Sequence, residues 1–291
     1  MPEYKPNYRE IKSIATLEPG LKDVYVEGMS DYFLINDFLR YHKVKDVKVY
    51  AIDDIDFDEL SVRMDPDKAS ELKQSNKEKV IYLSQLLEKD FSDVQLSILC
   101  IVDIDWDRML SQVRTSRYLC YTDYNSMDLY LCTKEIIAKY LRQGHRINTN
   151  VEDSMINTLL SVCRQIFHVH CIMHEKHLPI VNNDKAFTFD KTNQSCILDF
   201  NRYWIATLSK NNLTAISETL KATYDSRISQ PGEDLRYEVR GHDFVYYLYL
   251  CARKMKSKMK MDDEEFANMF WNYADLEVLK EEDLFAKILN L

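Results

Sequence analysis

Over its first half the chain alternates short apolar runs with longer amphipathic stretches. Lys22–Val26 (KDVYV) predicts a strand that Glu27-Gly28 ends. Ser30 or Asp31 is placed to cap a helix through Arg40, with Phe33, Leu34 and Phe38 on its apolar side. Val47–Ile52 (VKVYAI) predicts a second strand. Asp65-Pro66 then opens a helix, with Asp65 as cap and Pro66 in the first turn, where its missing N–H costs nothing. That helix runs to Lys89 and aligns Val80, Leu83 and Leu87 on one face. Leu96–Val102 (LSILCIV) is almost wholly apolar, and a run without alternation suits a strand covered on both faces of a parallel sheet. Tyr118–Tyr121 predicts a shorter fourth strand, after which Asn125 or Ser126 caps a helix carrying Tyr130, Leu131, Ile137, Ala138 and Leu141.

This order of elements predicts a doubly wound parallel α/β domain over residues 20–145. The second half reads as mainly helical. Ile156, Leu160, Cys163, Phe167, His170, His174 and His177 recur at alternating steps of four and three, one continuous helix stripe. Residues 180–200 read as loop and short strands, and Ala215–Ala222, Asp243–Lys254 and Asp263–Leu289 as further helix. Gln143-Gly144-His145 can end a helix, which sets the division at 1–145 and 146–291.

Composition narrows the classes. A hydrophobic fraction of 46% with 12% aromatics supplies a real core and excludes global disorder. Five Gly and six Pro in 291 residues exclude collagen-like and low-complexity chains. The net charge of −9 excludes nucleic-acid binding through bulk charge, so phosphate contact requires a local basic patch or bound metal ions. Seven scattered cysteines without a CxxC pair point to reduced thiols rather than a zinc ribbon. The polar start MPEYKPNYREIKS has no apolar leader core, and no apolar run approaches membrane length, so the expectation is a cytoplasmic protein without membrane contact.

Candidate chemistry concentrates after two strands, in VYVEGMSD (24–31) and LCIVDIDWD (99–107). In a parallel sheet of order 2-1-3-4 the strand order reverses between the first and third strands, and ligands bind outside the carboxyl ends at that point. Glu27 follows the first strand; Asp103 and Asp105 follow the third. Clustered carboxylates repel one another, and a hard divalent cation that takes oxygen ligands resolves the repulsion. Such an ion can orient a phosphodiester and activate water.

The E-G-x-x-D element (Glu27, Gly28, Asp31) followed by D-x-D-x-D (Asp103, Asp105, Asp107) resembles the Toprim domain of topoisomerases, primases and OLD-type nucleases. The likeness extends through Tyr121-Thr122-Asp123-Tyr124-Asn125-Ser126-Met127-Asp128 and Gly241-His242-Asp243. With these the chain resembles the small Toprim-type effector nucleases of bacterial anti-phage defence, the AriB type of the PARIS system in particular. The Toprim-like part covers about residues 20–130, and the later elements extend the likeness more weakly. The resemblance implies a Toprim-like fold with a helical C-terminal portion and Mg²⁺- or Mn²⁺-dependent hydrolysis of nucleic acid. It casts Glu27 as acid/base or metal ligand, Asp103 and Asp105 as the metal pair, and Asp107 as holding a second ion or only water. Asp31 matches the acid one turn after the glutamate, whereas Asp128 departs from a glutamate position. His242 becomes a general-acid candidate. The resemblance further implies RNA, tRNA-like, rather than DNA, a separate ABC-type ATPase subunit that restrains the effector, and a homodimer when active.

Other residues carry competing readings. Asp53, Asp54, Asp56 and Asp58 form a solvated acidic loop or supply an extra ligand. His170, His174 and His177 read as packing residues in preference to a zinc site. Asp243 reads as the N-cap of an aromatic helix. In RKMKSKMK, Lys254, Lys256 and Lys258 are substrate-binding candidates alongside Arg253 and Lys260; the alternative is a solvated helix end. Tyr118, Tyr121, Tyr124 and Tyr130 either stack bases or fill the core. No GxxxxGK[ST] occurs, so any nucleotide dependence belongs to another protein. Two rival functions remain: a receiver-like signalling domain using the same acids, and a non-catalytic adaptor.

Overall fold

A computed structural model describes residues 5–57, 70, 75–148, 150–229, 232, 234–255 and 259–291. The described chain forms two compact units, one from residues up to 123 together with 275–291, the other from 124–274.

The first unit is an α/β sheet. In it α1 (Tyr8–Leu17) precedes β1 (Lys22–Val26), α2 (Met29–Tyr41), β2 (Val47–Ala51), α3 (Asn76–Asp90), β3 (Ser97–Val102) and β4 (Leu119–Tyr121). All pairings are parallel and the order is β2-β1-β3-β4. The register pairs Val26 with Ala51 on one side of β1 and Tyr25 with Cys100 on the other. Because side chains alternate across the sheet, Tyr25, Ile98, Cys100 and Val102 meet α1 and α3 on one face. Val24, Val26 and Val49 are buried on the opposite face, where α2 packs on β2. Cover on both faces explains the unbroken apolar run of β3. The C-terminal helix Asp283–Leu289 belongs to this unit too, its Phe285 ring 4.8 Å from Phe38.

Helix starts differ from the sequence expectation. Gly28, in extended backbone, is the N-cap of α2, which leaves Ser30 and Asp31 inside the first turn. There the Asp31 charge favours the helix dipole without capping. The start expected at Asp65-Pro66 lies outside the described residues. The described helix α3 begins after Ser75, whose Oγ accepts the Glu78 N–H at 3.3 Å.

The second unit is mainly helical. Its elements are α4 (Lys134–Lys139), α5 (Asp153–Glu175), the antiparallel pair β5 (Phe187–Asp190) and β6 (Ser195–Leu198), α6 (Phe200–Lys210), α7 (Ser217–Ile228), α8 (Gly241–Lys254) and α9 (Asp263–Phe270). The single helix expected after Ser126 is broken: Met127–Leu131 form a 3₁₀ stretch, and Thr133 caps α4 by accepting the Ile136 N–H at 3.3 Å. The helical material expected over Asp263–Leu289 includes two α-helices that belong to two different units. Whereas the sequence boundary was set at 145, compactness divides the chain at 123/124. The Tyr140 hydroxyl donates to the Phe266 carbonyl at 2.6 Å and its ring meets Phe270, which ties residues before 145 to the second unit.

The α5 stripe is buried from Ile156 to His170, but His174 is exposed and His177 lies beyond the helix. The histidine triplet is therefore split, and the packing role applies to His170. Tyr118 is fully buried, while Tyr124 and Tyr130 are buried edge to face at 5.1 Å, which makes them core residues. All seven cysteines are buried free thiols. Among the described residues, no helix is long and apolar enough to cross a membrane.

Candidate functional site

The parallel register brings the ends of β1 and β3 side by side, and the acids that follow them meet there. The Asp103 backbone N–H donates to Glu27 Oε1 at 2.7 Å, across a separation of 76 residues. The Ile104 N–H donates to Thr122 Oγ1 at 3.3 Å, which fixes this turn against the end of β4. Asp105 adopts φ 50°, a left-handed backbone that a non-glycine residue holds only when its surroundings impose it.

The first turn of α3 closes the site. Lys77 Nζ donates to the Ile104 carbonyl at 3.0 Å and pairs with Asp107 Oδ2 at 3.1 Å and Asp105 Oδ2 at 3.4 Å. Asn76 Nδ2 donates to the Glu27 carbonyl at 3.0 Å and to Asp53 Oδ2 at 2.9 Å. Asp53, which is exposed, also pairs with Lys79 at 3.3 Å, a second contact with the first turn of α3. Next to Lys77, Glu78 accepts both amino groups of Arg114, each at 2.6 Å, a bidentate pair that steadies the loop after Asp107.

Electrostatics follow from this crowding. Burial first, and then the Asp105 charge, push the Glu27 carboxyl up to about 8; Asp31 adds to the rise, while the Asp103 N–H and Lys77 oppose it. Burial also raises Asp107, against the opposing pull of Lys77 and Arg114. Burial works against the Lys77 charge, but Asp105, Asp107 and Glu27 outweigh it and raise the ammonium above its ordinary value. Burial and the neighbouring Asp105 and Asp31 charges thus favour the protonated form of Glu27.

Glu27, Asp103, Asp105 and Asp107 all belong to this sheet end. Even so, among the described residues no three His, Cys, Asp or Glu side chains are grouped so as to hold a metal ion. The positive charge at the site comes from Lys77. The donors are all oxygen, which fits a hard cation that keeps most of its water and takes one or two carboxylates, and does not fit a closed protein cage.

Asp54 is exposed, and the Asp56 N–H donates to the Pro6 carbonyl at 2.9 Å. Asp58, Lys256 and Lys258 lie outside the described residues. Lys254 is exposed at the end of α8, beside Arg253.

His242 belongs to a second cluster, inside the second unit. It is exposed, and its Nδ1 lies 3.9 Å from Asp128 Oδ2 on the buried 3₁₀ stretch. Gly241 makes that approach possible: an added Cβ would come within 2.5 Å of Asp128 Cβ and would also overlap Ser126 Oγ and Asp128 Oδ2. Asp243, expected to cap α8, lies inside its first turn and is buried; Arg240 is the cap residue. The Asp243 carboxylate instead meets His170 Nδ1 at 3.1 Å. His170 Nε2 reaches the Tyr203 hydroxyl at 2.7 Å, and that hydroxyl donates to the Val181 carbonyl at 2.8 Å. Burial would raise Asp243, but His170 and Arg240 hold it below the usual carboxylate range.

Lys77 is the site residue that the sequence reading missed. The sequence carries no signal for it, because a helix counted from Asp65-Pro66 puts Lys77 in mid-helix; only the described start after Ser75 places it in a first turn, where a lysine opposes the dipole. No protein-family model matches the chain, and no curated protein sequence matches it.

Proposed function

We propose that the carboxyl end of the β1–β3 pair is the catalytic centre of a Toprim-type nuclease that hydrolyses phosphodiesters of nucleic acid with Mg²⁺ or Mn²⁺. The observation that carries this reading is Glu27, whose Oε1 accepts the Asp103 N–H at 2.7 Å at the point where the strand order reverses, its carboxyl raised by burial and the Asp105 charge. In this role Glu27 exchanges a proton with the attacking water. Lys77 turns its ammonium from Asp105 to a phosphate oxygen. Asp103 and Asp105, with Asp107 behind them, would hold the hydrated cation. That ion, when bound, supplies charge neutralisation at the phosphate and a more acidic water.

RNA of tRNA-like shape is preferred over DNA on the strength of the family resemblance. The same resemblance supports a cytoplasmic anti-phage effector, a separate ABC-type ATPase subunit that restrains it, and a homodimer in the active state. His242 with Asp128, and Lys254 at the end of α8, are substrate contacts in this reading.

The test is incubation of the purified chain with total RNA and with plasmid DNA, in Mg²⁺, Mn²⁺ or EDTA. Cleavage is expected with either metal and not with EDTA. Glu27→Gln is near-isosteric and abolishes cleavage while the fold persists. Turnover at the wild-type rate by folded Glu27→Gln overturns the assignment. The contact of Lys77 with Asp105 and Asp107 also suits a receiver-like domain, which needs a lysine beside its acids. Labelling by acetyl phosphate in place of cleavage would favour that second reading. An adaptor role predicts that Asp103→Ala leaves biological activity intact.

A further inference from the structure

Away from Glu27, at the start of β1, a cleft of about 280 Å³ opens between α1 and the sheet. Two register pairs build its floor, Asp23 with Lys48 and Tyr25 with Tyr50. The two tyrosine rings stack 5.3 Å apart at 18°. Ile14, which is exposed, and Glu18 line the cleft from the α1 side.

Asp23 is the unusual member. It is 5% exposed, and among the described residues its Oδ1 has no hydrogen-bond partner. Among those residues its Oδ2 has one long contact, 3.4 Å, from the Tyr25 hydroxyl. Lys48, across the register, is solvent-exposed and acts on Asp23 through space. A buried carboxylate with an empty oxygen is costly unless something donates to it. The rest of the lining points to the sign of the donor. Asp23 and Glu18 carry two negative charges against one on Lys48, and tyrosine faces attract cations and repel anions.

We propose that this cleft binds a small flat organic cation, an amidinium or ammonium on an apolar body, with Asp23 as counter-ion and the half-buried Tyr50 ring, backed by the buried Tyr25, as its platform. The volume lies at the small end of ligand pockets, the size of a single ring with a charged group. Burial raises the Asp23 carboxyl to about 6, against the pull of Lys48, and a cation beside it favours the ionised form. The site is independent of the nuclease reading, because none of its lining residues belongs to the Glu27 cluster.

The test uses benzamidine and its uncharged near-isostere benzamide, titrated into the intact chain by calorimetry and ligand-observed NMR. Benzamidine is expected to saturate, and benzamide to bind at least about tenfold more weakly, the loss that follows an unpaired buried charge. Asp23→Asn should weaken benzamidine by a similar factor and erase the difference between the two. Ile14→Trp, which narrows the mouth and leaves Asp23 in place, should weaken both. Equal binding of the two ligands by wild type, undiminished benzamidine binding by folded Asp23→Asn, or no binding to wild type up to about 10 mM overturns the proposal and leaves the cleft to water.

Discussion

A carboxyl that the fold holds protonated makes stability fall as pH rises. Glu27 binds its proton more tightly in the folded chain than in an unfolded one, since its value moves from 4.5 to about 8. Its protonated form therefore supports the fold below about pH 4.5, and that support is lost as pH climbs through about 8. Glu27→Gln removes this loss. In urea titrations the variant should gain on wild type across that window, by a few kcal/mol at most. A steeper fall in the variant than in wild type contradicts the assignment. Lys77 gives the opposite case. Lys77→Met leaves Asp107 buried with its cation removed, and a cost of about 3 kcal/mol is expected by chemical denaturation. Lys77→Met combined with Asp107→Asn should recover most of it, because the charge that lacked a partner is gone. An undiminished cost in the double variant would show that the ammonium matters for packing alone.

The elements show which parts of this arrangement local pattern encodes. Lys22–Val26 forms the strand the sequence predicts, and β3 starts one residue late, because apolar runs between breakers are a local signal. Glu27 and Asp103 follow neighbouring strands only if the sheet order is 2-1-3-4, which the sequence assumes and the observed order β2-β1-β3-β4 matches. What failed depends on long-range partners. Asp243 has a cap-forming residue type, yet a buried histidine 73 residues away claims its carboxylate. Lys77 looks like any surface lysine until β3 places Asp105 and Asp107 against it. Gly241 stands in the Gly241-His242-Asp243 motif, but its steric reason, the closeness of α8 to Ser126 and Asp128, is not local. Gly241→Ala should cost about 2 kcal/mol, as overpacking does, and should shift the His242 side-chain resonances. Adding Ser126→Gly should return part of that stability in a double-mutant cycle, and strict additivity would remove the steric explanation.

At the scale of the whole chain, sequence order and compactness part company. A cut at residue 145 follows from Gln143-Gly144-His145, which can end a helix. The sheet unit nevertheless takes its last helix from residues 283–289, where Leu284, Phe285 and Ile288 are fully buried. The Leu284 N–H donates to Asp123 Oδ2 at 3.0 Å, and Phe285 packs on Phe38 of α2. Removing that helix exposes the apolar face of α2, and deleting buried leucine- and phenylalanine-sized side chains costs several kcal/mol each, comparable with the whole stability of a domain. A fragment of residues 1–145 is therefore expected to be loosely packed, with poor amide dispersion in NMR and a broad urea transition. Joining residues 1–123 directly to 275–291 through a short Gly/Ser linker should instead give a cooperative transition. That joined protein also keeps Glu27, Asp103, Asp105 and Lys77 together, so it should reproduce the fall in stability with rising pH that Glu27 causes. If the 1–145 fragment unfolds as sharply as the joined protein, the C-terminal helix is dispensable and the sheet unit ends where the strands do.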